Sequence, residues 1–131
     1  MEGVGYSLLH NLKTAEEVKA EVGVLLSVGG SANSRVWTQI KSDITNKPIH
    51  VPASDHATTL GAALIAGVGI GVYRDFQSAV DNTVRIQRVH EPDELAHQMY
   101  RGYYRLYLDL YDRLKDHFRQ LDSLRTRRDY C

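Results

Sequence analysis

The sequence predicts an α/β domain built on short parallel strands, with a helix-rich C-terminal part. Segments 24–28 and 49–51 are short, apolar and bounded by turn residues, which is typical of buried strands. An amphipathic segment, 34–45, lies between them. A strand–helix–strand unit pairs its strands in parallel through a right-handed crossover. Two strands alone would leave unpaired edges, so we expect further strands to complete the sheet.

Helical periodicity precedes the first strand. Apolar residues recur at helical spacing over segment 3–22. Thr14 and Glu17 have the spacing of a capping box, which would divide this segment into two helices. Gly23 is the predicted end of the helical region, because glycine often follows the last helical turn.

Three further helices are predicted after the second strand. The first covers 57–66, and Asp75 can cap the second, which spans 76–84. Pro92 suits the first turn of the last helix. The predicted packing face of that helix is a stripe of apolar residues at helical spacing: Leu95, Met99, Leu106, Leu110 and Leu114.

The bulk composition is that of an ordinary globular domain. The chain has 131 residues, 43% of them hydrophobic, and a formal net charge of zero. This balance gives no electrostatic case for nucleic acid or an anionic membrane as a partner. The longest low-charge stretch, 57–73, contains four glycines and is marginal for a membrane span. A lone cysteine and no signal-peptide pattern favour a cytoplasmic protein.

The segment 27–34 carries the most suggestive chemistry. A buried strand that ends in Gly29 and Gly30 and opens a helix leaves main-chain N–H groups free to meet a phosphate. Ser31, Asn33 and Ser34 add short polar side chains that could contact a ribose or a purine. The same residues also suit a plain turn with a serine helix cap. The segment lacks the Gly-Lys-Ser/Thr of a Walker loop, and the glycines at 67–71 follow a helix, unlike a dinucleotide fingerprint.

Three ordered motifs carry a family resemblance. Segment 27–44 resembles a signature in which Gly-Gly leads through Ser or Asn and an aromatic residue to Gln-Ile-x-Ala/Ser-Asp. Segment 59–67 resembles an Ala-Leu-Gly-Ala-Ala-x-x-Ala motif, and segment 89–93 precedes a tyrosine-rich helix. Together they resemble the C-terminal domain of the FGGY carbohydrate kinases, most closely the xylulokinase-type members.

The resemblance implies an ATP-dependent sugar kinase with the actin-like, ribonuclease-H-like fold. It implies that Gly29 and Gly30 contact the phosphates and ribose of ATP through the main chain, and that Ser34 approaches the adenine. Ser31 and Asn33 are the remaining candidate nucleotide contacts. The implied cofactor is ATP with Mg²⁺, and the implied substrate is a pentulose or a related sugar. His56 departs from the family pattern, in which many members have Glu.

Other parts of the family machinery are not found in the sequence. We find no Asp-x-Gly-Thr hairpin and no segment that resembles the one with the catalytic aspartate, so no residue is assigned as catalytic or as a metal ligand. Asp43 falls within a predicted helix, which favours a structural role. We therefore expect 1–131 to be one domain, the nucleotide-binding segment of a longer kinase, and to be inactive alone.

Alternatives remain open at this point. The chain could be a non-catalytic nucleotide-binding or assembly module of the same fold, or another ATPase of the actin and sugar-kinase superfamily. The six histidines lack the spacing of a zinc site. The tyrosines of the last helix indicate a broad packing face rather than base stacking. Exposed apolar surface and open strand edges predict a homo-oligomer.

Overall fold

The computed structural model describes residues 1–54 and 56–126. Its elements are, in chain order, α1 (Glu2–Glu17), β1 (Leu25–Leu26), a 3₁₀ turn (Gly30–Asn33), α2 (Arg35–Thr45), β2 (Ile49–Pro52), α3 (Ala57–Gly69), α4 (Phe76–Thr83), β3 (Ile86–His90) and α5 (Glu94–Thr126).

The first helical region is one helix, so the predicted division at Thr14 is wrong. The Thr14 hydroxyl donates to the His10 carbonyl oxygen at 3.1 Å and does not cap a new helix. The end predicted at Gly23 is also wrong. Lys19 has φ +64° and its N–H donates to the Glu16 carbonyl oxygen, while the Ala20 N–H donates five residues back. This pair of hydrogen bonds ends α1 in a Schellman motif, with lysine where glycine is usual.

The sheet contains one strand that the sequence prediction missed. The strand order is β1-β2-β3, with β1 and β2 parallel as predicted and β3 antiparallel to β2. The predicted C-terminal part held helices alone. β3 was not predicted because it lacks the usual strand pattern of inward apolar and outward polar residues. Arg88 and His90 face inward, whereas Ile86 and Val89 are exposed. The expected alternation of apolar-in and polar-out residues is therefore inverted.

Only one face of the sheet is packed in the described part of the chain. Ile49 is 1% exposed and stands between Leu25 and His90 on the side of α2. On the opposite side, Leu26 is 64% exposed and Val89 is 48% exposed. Sheets of this kind are normally covered on both faces, so the exposed side is suited to a further layer.

The core lies between α1, α2 and α5. Its buried members are Tyr6, Leu9, Ile44 and Tyr100. The rings of Tyr6 and Tyr100 meet edge to face with centroids 6.3 Å apart, a favourable aromatic geometry. Burial raises the pKa of Tyr6 to about 12. At Gly5, an added Cβ would lie 2.5 Å from the Ile44 side chain, so glycine permits the close approach of α1 to α2.

α5 packs through tyrosines rather than through the predicted leucine stripe. Tyr100 is buried, and Tyr104 and Tyr107 pack against the same core. All five residues of the predicted stripe are exposed: Leu95, Met99, Leu106, Leu110 and Leu114. The apolar face of α5 is thus wider than the part it buries: the packing face predicted from the tyrosines is confirmed, and the one predicted from the leucine stripe is wrong.

A polar network on α2 fixes the junction between β3 and α5. The Gln39 amide nitrogen donates to Asp43 Oδ1 at 2.8 Å and to the Glu91 carbonyl oxygen at 2.7 Å. Gln39 Oε1 lies 3.0 Å from His90 Nδ1, which must therefore be the donor. Ser42 Oγ lies 2.9 Å from the His90 carbonyl oxygen. These side chains form hydrogen bonds with main-chain carbonyl groups at the end of β3, where the chain leaves the sheet.

Asp43 is the centre of this network. Its Oδ1 accepts from the Asp93 N–H at 2.9 Å, and its carbonyl oxygen lies 2.8 Å from His97 Nδ1. Asp93 in turn accepts from the Ala96 N–H at 2.8 Å and so caps the first turn of α5. The carboxylate of Asp43 is 7% exposed and faces these partners, in agreement with its predicted structural role.

We expect Asp43→Ala to lower the free energy of unfolding by about 2–3 kcal/mol, because it leaves buried donors without an acceptor. Asp112→Ala is the matched control, since Asp112 is 71% exposed and, among the described residues, forms an ion pair only with Lys115. The control should change stability by less than about 0.5 kcal/mol. Urea unfolding followed by circular dichroism measures both. Equal stability of the two variants would contradict a central role for Asp43.

Candidate functional site

The candidate site is the turn that joins β1 to α2. Gly29 has φ +77° and ψ −176°, a region of conformational space that is open essentially to glycine alone. An added Cβ at Gly29 would meet no atom within 4 Å. Its backbone angles, and not crowding, therefore make glycine necessary at this position.

Gly30 has a different reason to be glycine. Its φ is not positive, and an added Cβ would meet open space. Within the part of the chain that the structure describes, the N–H groups of Gly30 and Ser31 donate to no main-chain oxygen. Nothing described in the chain therefore requires glycine at position 30, and two main-chain donors remain available beside it.

The three polar residues of the turn are all exposed. Ser34 Oγ accepts from the Trp37 N–H at 3.2 Å and so caps α2. The Ser34 hydroxyl keeps its own proton, so it can still donate to a second group. The side chains of Ser31 and Asn33 also lie on the surface of the turn. The five predicted site residues therefore lie in one turn, in which Gly29 is half-buried and the other four are exposed.

Side chains from α2 and β3 hold the turn from below. Ala32 is 1% exposed, and its carbonyl oxygen accepts from the Arg88 guanidinium. The Thr38 hydroxyl lies 3.5 Å from the same oxygen. On the other side of the turn, Lys41 Nζ donates to Ser27 Oγ at 3.1 Å. The turn is thereby braced on both sides by a cation.

These cations make the surroundings of the turn positive. Neither Lys41 nor Arg88 forms an ion pair with a carboxylate among residues 1–54 and 56–126. Burial lowers the pKa of the Lys41 ammonium. Burial also lowers the pKa of the His90 imidazole, and the charges of Arg88, Arg35 and Lys41 act in the same direction while Asp43 opposes them. A phosphate group would find favourable charge beside the free amides.

Sequence reasoning missed Arg88, Lys41 and His90 as neighbours of the turn. Arg88 lies 56 residues from Ala32 in the chain, and only the unpredicted strand β3 brings the two together. A signal was present in the alternation of Arg88 and His90, which is typical of a strand with one polar face. His56, the residue that departs from the family pattern, is the exposed N-cap of α3 and makes no side-chain cap hydrogen bond.

Two other kinds of site were searched for in the described residues. They contain no group of three or more His, Cys, Asp or Glu side chains that could hold a metal ion. No helix among them combines the length and the hydropathy needed to cross a membrane.

Comparison with known proteins decides the family. The C-terminal domain of the FGGY family of carbohydrate kinases matches residues 1–70. The chain belongs to the FGGY family of carbohydrate kinases. The match covers the glycine turn, α2 and the whole of α3, and so includes two of the three segments that carried the resemblance in the sequence, 27–44 and 59–67.

Several FGGY kinases resemble the chain beyond residue 70. A xylulose kinase of Staphylococcus epidermidis is 32% identical over 115 residues, which are 88% of this chain and 23% of that protein. The L-xylulose/3-keto-L-gulonate kinase of Escherichia coli is 35% identical over 123 residues, 88% of this chain and 25% of that protein. The crystal structure of xylulose kinase from Rhodospirillum rubrum has a TM-score of 0.77 at 25% identity, over 90% of this chain and 24% of that one.

These similarities confirm two expectations from the sequence. The fold is part of the actin-like, ribonuclease-H-like ATPase fold, and the similar proteins are of the xylulokinase type, as predicted. The chain spans about a quarter of the length of these FGGY kinases.

The backbone angles predict different effects of alanine at the two glycines. Gly29→Ala should lower the free energy of unfolding by about 1–3 kcal/mol, because alanine is strained at this φ and ψ. Gly30→Ala should change it by no more than about 0.5 kcal/mol. Urea unfolding of both variants measures the difference. A Gly30→Ala variant as unstable as Gly29→Ala would show that the turn has another geometry.

Proposed function

We propose that this chain is the nucleotide-binding C-terminal part of an ATP-dependent sugar kinase. The observation that carries the proposal is the turn 29–34, with the unpaired main-chain N–H groups of Gly30 and Ser31, in a member of a carbohydrate kinase family. The reaction is transfer of the γ-phosphate of ATP to a sugar hydroxyl, which depends mainly on positioning and electrostatic stabilisation.

In this proposal the turn positions ATP through its main chain. The N–H groups of Gly30 and Ser31 point to the phosphates, and the absence of a side chain at Gly30 lets the nucleotide approach the backbone. Lys41 and Arg88 add positive charge from beneath the turn. The Ser34 hydroxyl approaches the adenine while it caps α2, and the side chains of Ser31 and Asn33 complete the contacts with the nucleotide.

The rest of the chemistry is assigned to segments outside this chain. The xylulose kinases among its relatives make a pentulose or a related sugar the proposed substrate, bound mainly by the other part of the kinase. We assign no catalytic residue within residues 1–131 and expect no sugar-dependent ATP turnover by this chain alone. Mg²⁺ is expected to accompany the ATP phosphates, because phosphoryl transfer from ATP uses the metal ion to neutralise the developing charge. Use of ATP favours a cytoplasmic location.

Gly30→Val tests the nucleotide site in the complete kinase. A branched side chain at position 30 should obstruct the approach of ATP and raise its KM about tenfold or more, which corresponds to about 1.4 kcal/mol. The KM for the sugar should stay nearly unchanged. Steady-state kinetics with ATP and sugar varied separately measures both constants, and thermal melting verifies the fold.

Ser34→Ala is the companion variant for the adenine contact. It should make the free energy of ATP binding less favourable by about 1 kcal/mol, the scale of one neutral hydrogen bond. It should also lower the free energy of unfolding by about 1 kcal/mol, because it removes the cap of α2. A well-folded Gly30→Val kinase with unchanged KM for ATP would refute the site assignment while leaving the family assignment intact.

We also propose that the protein forms a homo-oligomer through the exposed face of α5. Nine apolar side chains share this face: Leu95, Met99, Tyr103, Leu106, Leu110, Leu114, Phe118, Leu121 and Leu124. From Tyr107 to Leu124 the apolar residues have the three-and-four spacing that helices use to pack along one another. Three exposed ion pairs within α5 balance charge along this stretch, so a second copy would meet no net repulsion.

Leu114→Glu tests this surface, because a carboxylate in the centre of the stripe should disfavour burial. We expect the chain to self-associate in light scattering and Leu114→Glu to shift it towards the monomer. Ser123→Glu is the matched control, since nine residues place it on the opposite side of the helix. A monomeric parent chain at high concentration, or equal effects of both variants, would contradict the proposal.

A further inference from the structure

A cavity of about 440 Å³ lies at the other end of α2 from the glycine turn. It is an open pocket bounded by α1, by the last turn of α2 and by the first half of α5. The 11 residues of α2 separate it from the turn by about 16 Å along the helix. Its volume falls within the usual range for small-molecule sites. No residue of the proposed ATP site lines it.

The cavity is lined by more positive than negative charge. Lys13, Lys47, Arg101 and Arg105 line it, together with a single carboxylate, Glu16. Glu16 accepts from Lys13 at 3.1 Å and lies 3.3 Å from Lys47, and these contacts lower the pKa of its carboxyl group.

Arg101 and Arg105 have no such partner. Neither arginine forms an ion pair or a hydrogen bond within the part of the chain that the structure describes. The excess is three positive charges, or two when Glu17 is counted, because its charge acts on the nearby Tyr104. Two unpaired guanidinium groups one helical turn apart suit an anion with several oxygen atoms.

The inner wall of the cavity is apolar and aromatic. Leu9 and Leu12 are buried beneath it, and the ring of Tyr104 forms part of its wall. Such a wall can hold the organic part of a ligand while the cations hold its charge. Both features together select for a small organic molecule with an anionic group.

The last carbonyl groups of α2 offer another partner for these cations, because positive charge is favourable at a helix C-terminus. That interaction would explain the position of the Lys47 charge, because Lys47 directly follows the cap residue Asn46. It does not explain the arginines, since neither donates a hydrogen bond to Thr45, Asn46 or Lys47. The two guanidinium groups thus remain available to a ligand.

We propose that this cavity binds a small phosphate-bearing organic molecule. Arg101 and Arg105 hold the phosphate group, Lys13 and Lys47 add charge at its rim, and the organic part lies against Tyr104, Leu9 and Leu12. The site is independent of the proposed ATP site, because the two share no residue.

Titration of the full chain with phenyl phosphate and with inorganic phosphate tests the proposal. Amide NMR in a phosphate-free buffer should show shifts of the Lys47, Arg101 and Arg105 signals, with a Kd for inorganic phosphate of about 1 mM. Phenyl phosphate should bind about tenfold more tightly, because its ring adds contact with Tyr104 and the leucines. Added salt should weaken the binding of both ligands, because it screens their attraction to the cations.

The double variant Arg101→Gln/Arg105→Gln should raise the Kd of both ligands at least about tenfold. Arg119→Gln is the control, because Arg119 lies on α5 outside the cavity and pairs with Asp116. Tyr104→Leu should reduce the advantage of phenyl phosphate over phosphate and leave phosphate binding unchanged. Absence of binding, undiminished binding in the double variant, or shifts confined to residues 29–34 would each overturn the proposal.

Discussion

The buried carboxylate of Asp43 is the constraint on which the rest of the structure depends. It accepts from Gln39 and from the Asp93 N–H, and so connects α2 to the start of α5. Gln39 and Ser42 extend the same network to the end of β3. One turn of α2 thereby fixes a strand and a helix about fifty residues away. In the low dielectric of a protein interior such hydrogen bonds are strong, so several polar residues that act together can hold distant segments in place.

The network also bears on the glycine turn at the opposite end of α2. β3 carries Arg88, which reaches the Ala32 carbonyl oxygen beneath the turn. The position of β3 depends on its hydrogen bonds with β2 and on the contacts of Gln39 and Ser42 at His90. The motif that identifies the family therefore has two tasks. In the proposed nucleotide site its glycines leave the main chain open to ATP, and its Gln-Ile-x-Ser-Asp part holds the scaffold that supports them.

The local features of the fold could be predicted from the sequence, but the contacts between distant segments could not. The parallel strands around α2 and the glycine turn follow from short apolar runs and turn residues. β3 was missed because its inward residues are Arg88 and His90, which pattern reasoning assigns to a surface. On α5 the tyrosines were recognised as a packing face, but the leucine stripe was wrongly included, because Tyr104 and Tyr107 share one wide apolar face with the leucines. The position of Arg88 beside the turn depends on β3, so it was missed together with that strand.

The two glycines of the turn also show the difference between what the sequence predicts and what only the structure shows. The sequence marks both Gly29 and Gly30, but only the backbone angles show that the fold itself requires the first and leaves the second unexplained. This difference is the central support for a ligand at the turn. Gly29 is required by the shape of the loop, whereas we propose that Gly30 permits the approach of another molecule.

An amide NMR titration of the chain with ATP and Mg²⁺ tests this account most directly, because it detects even millimolar binding at individual residues. The account predicts that the largest shifts fall on the Gly30 and Ser31 N–H groups, with smaller ones at Ser34 and at the start of α2. Saturable shifts elsewhere, with the Gly30 and Ser31 signals unmoved, would contradict it.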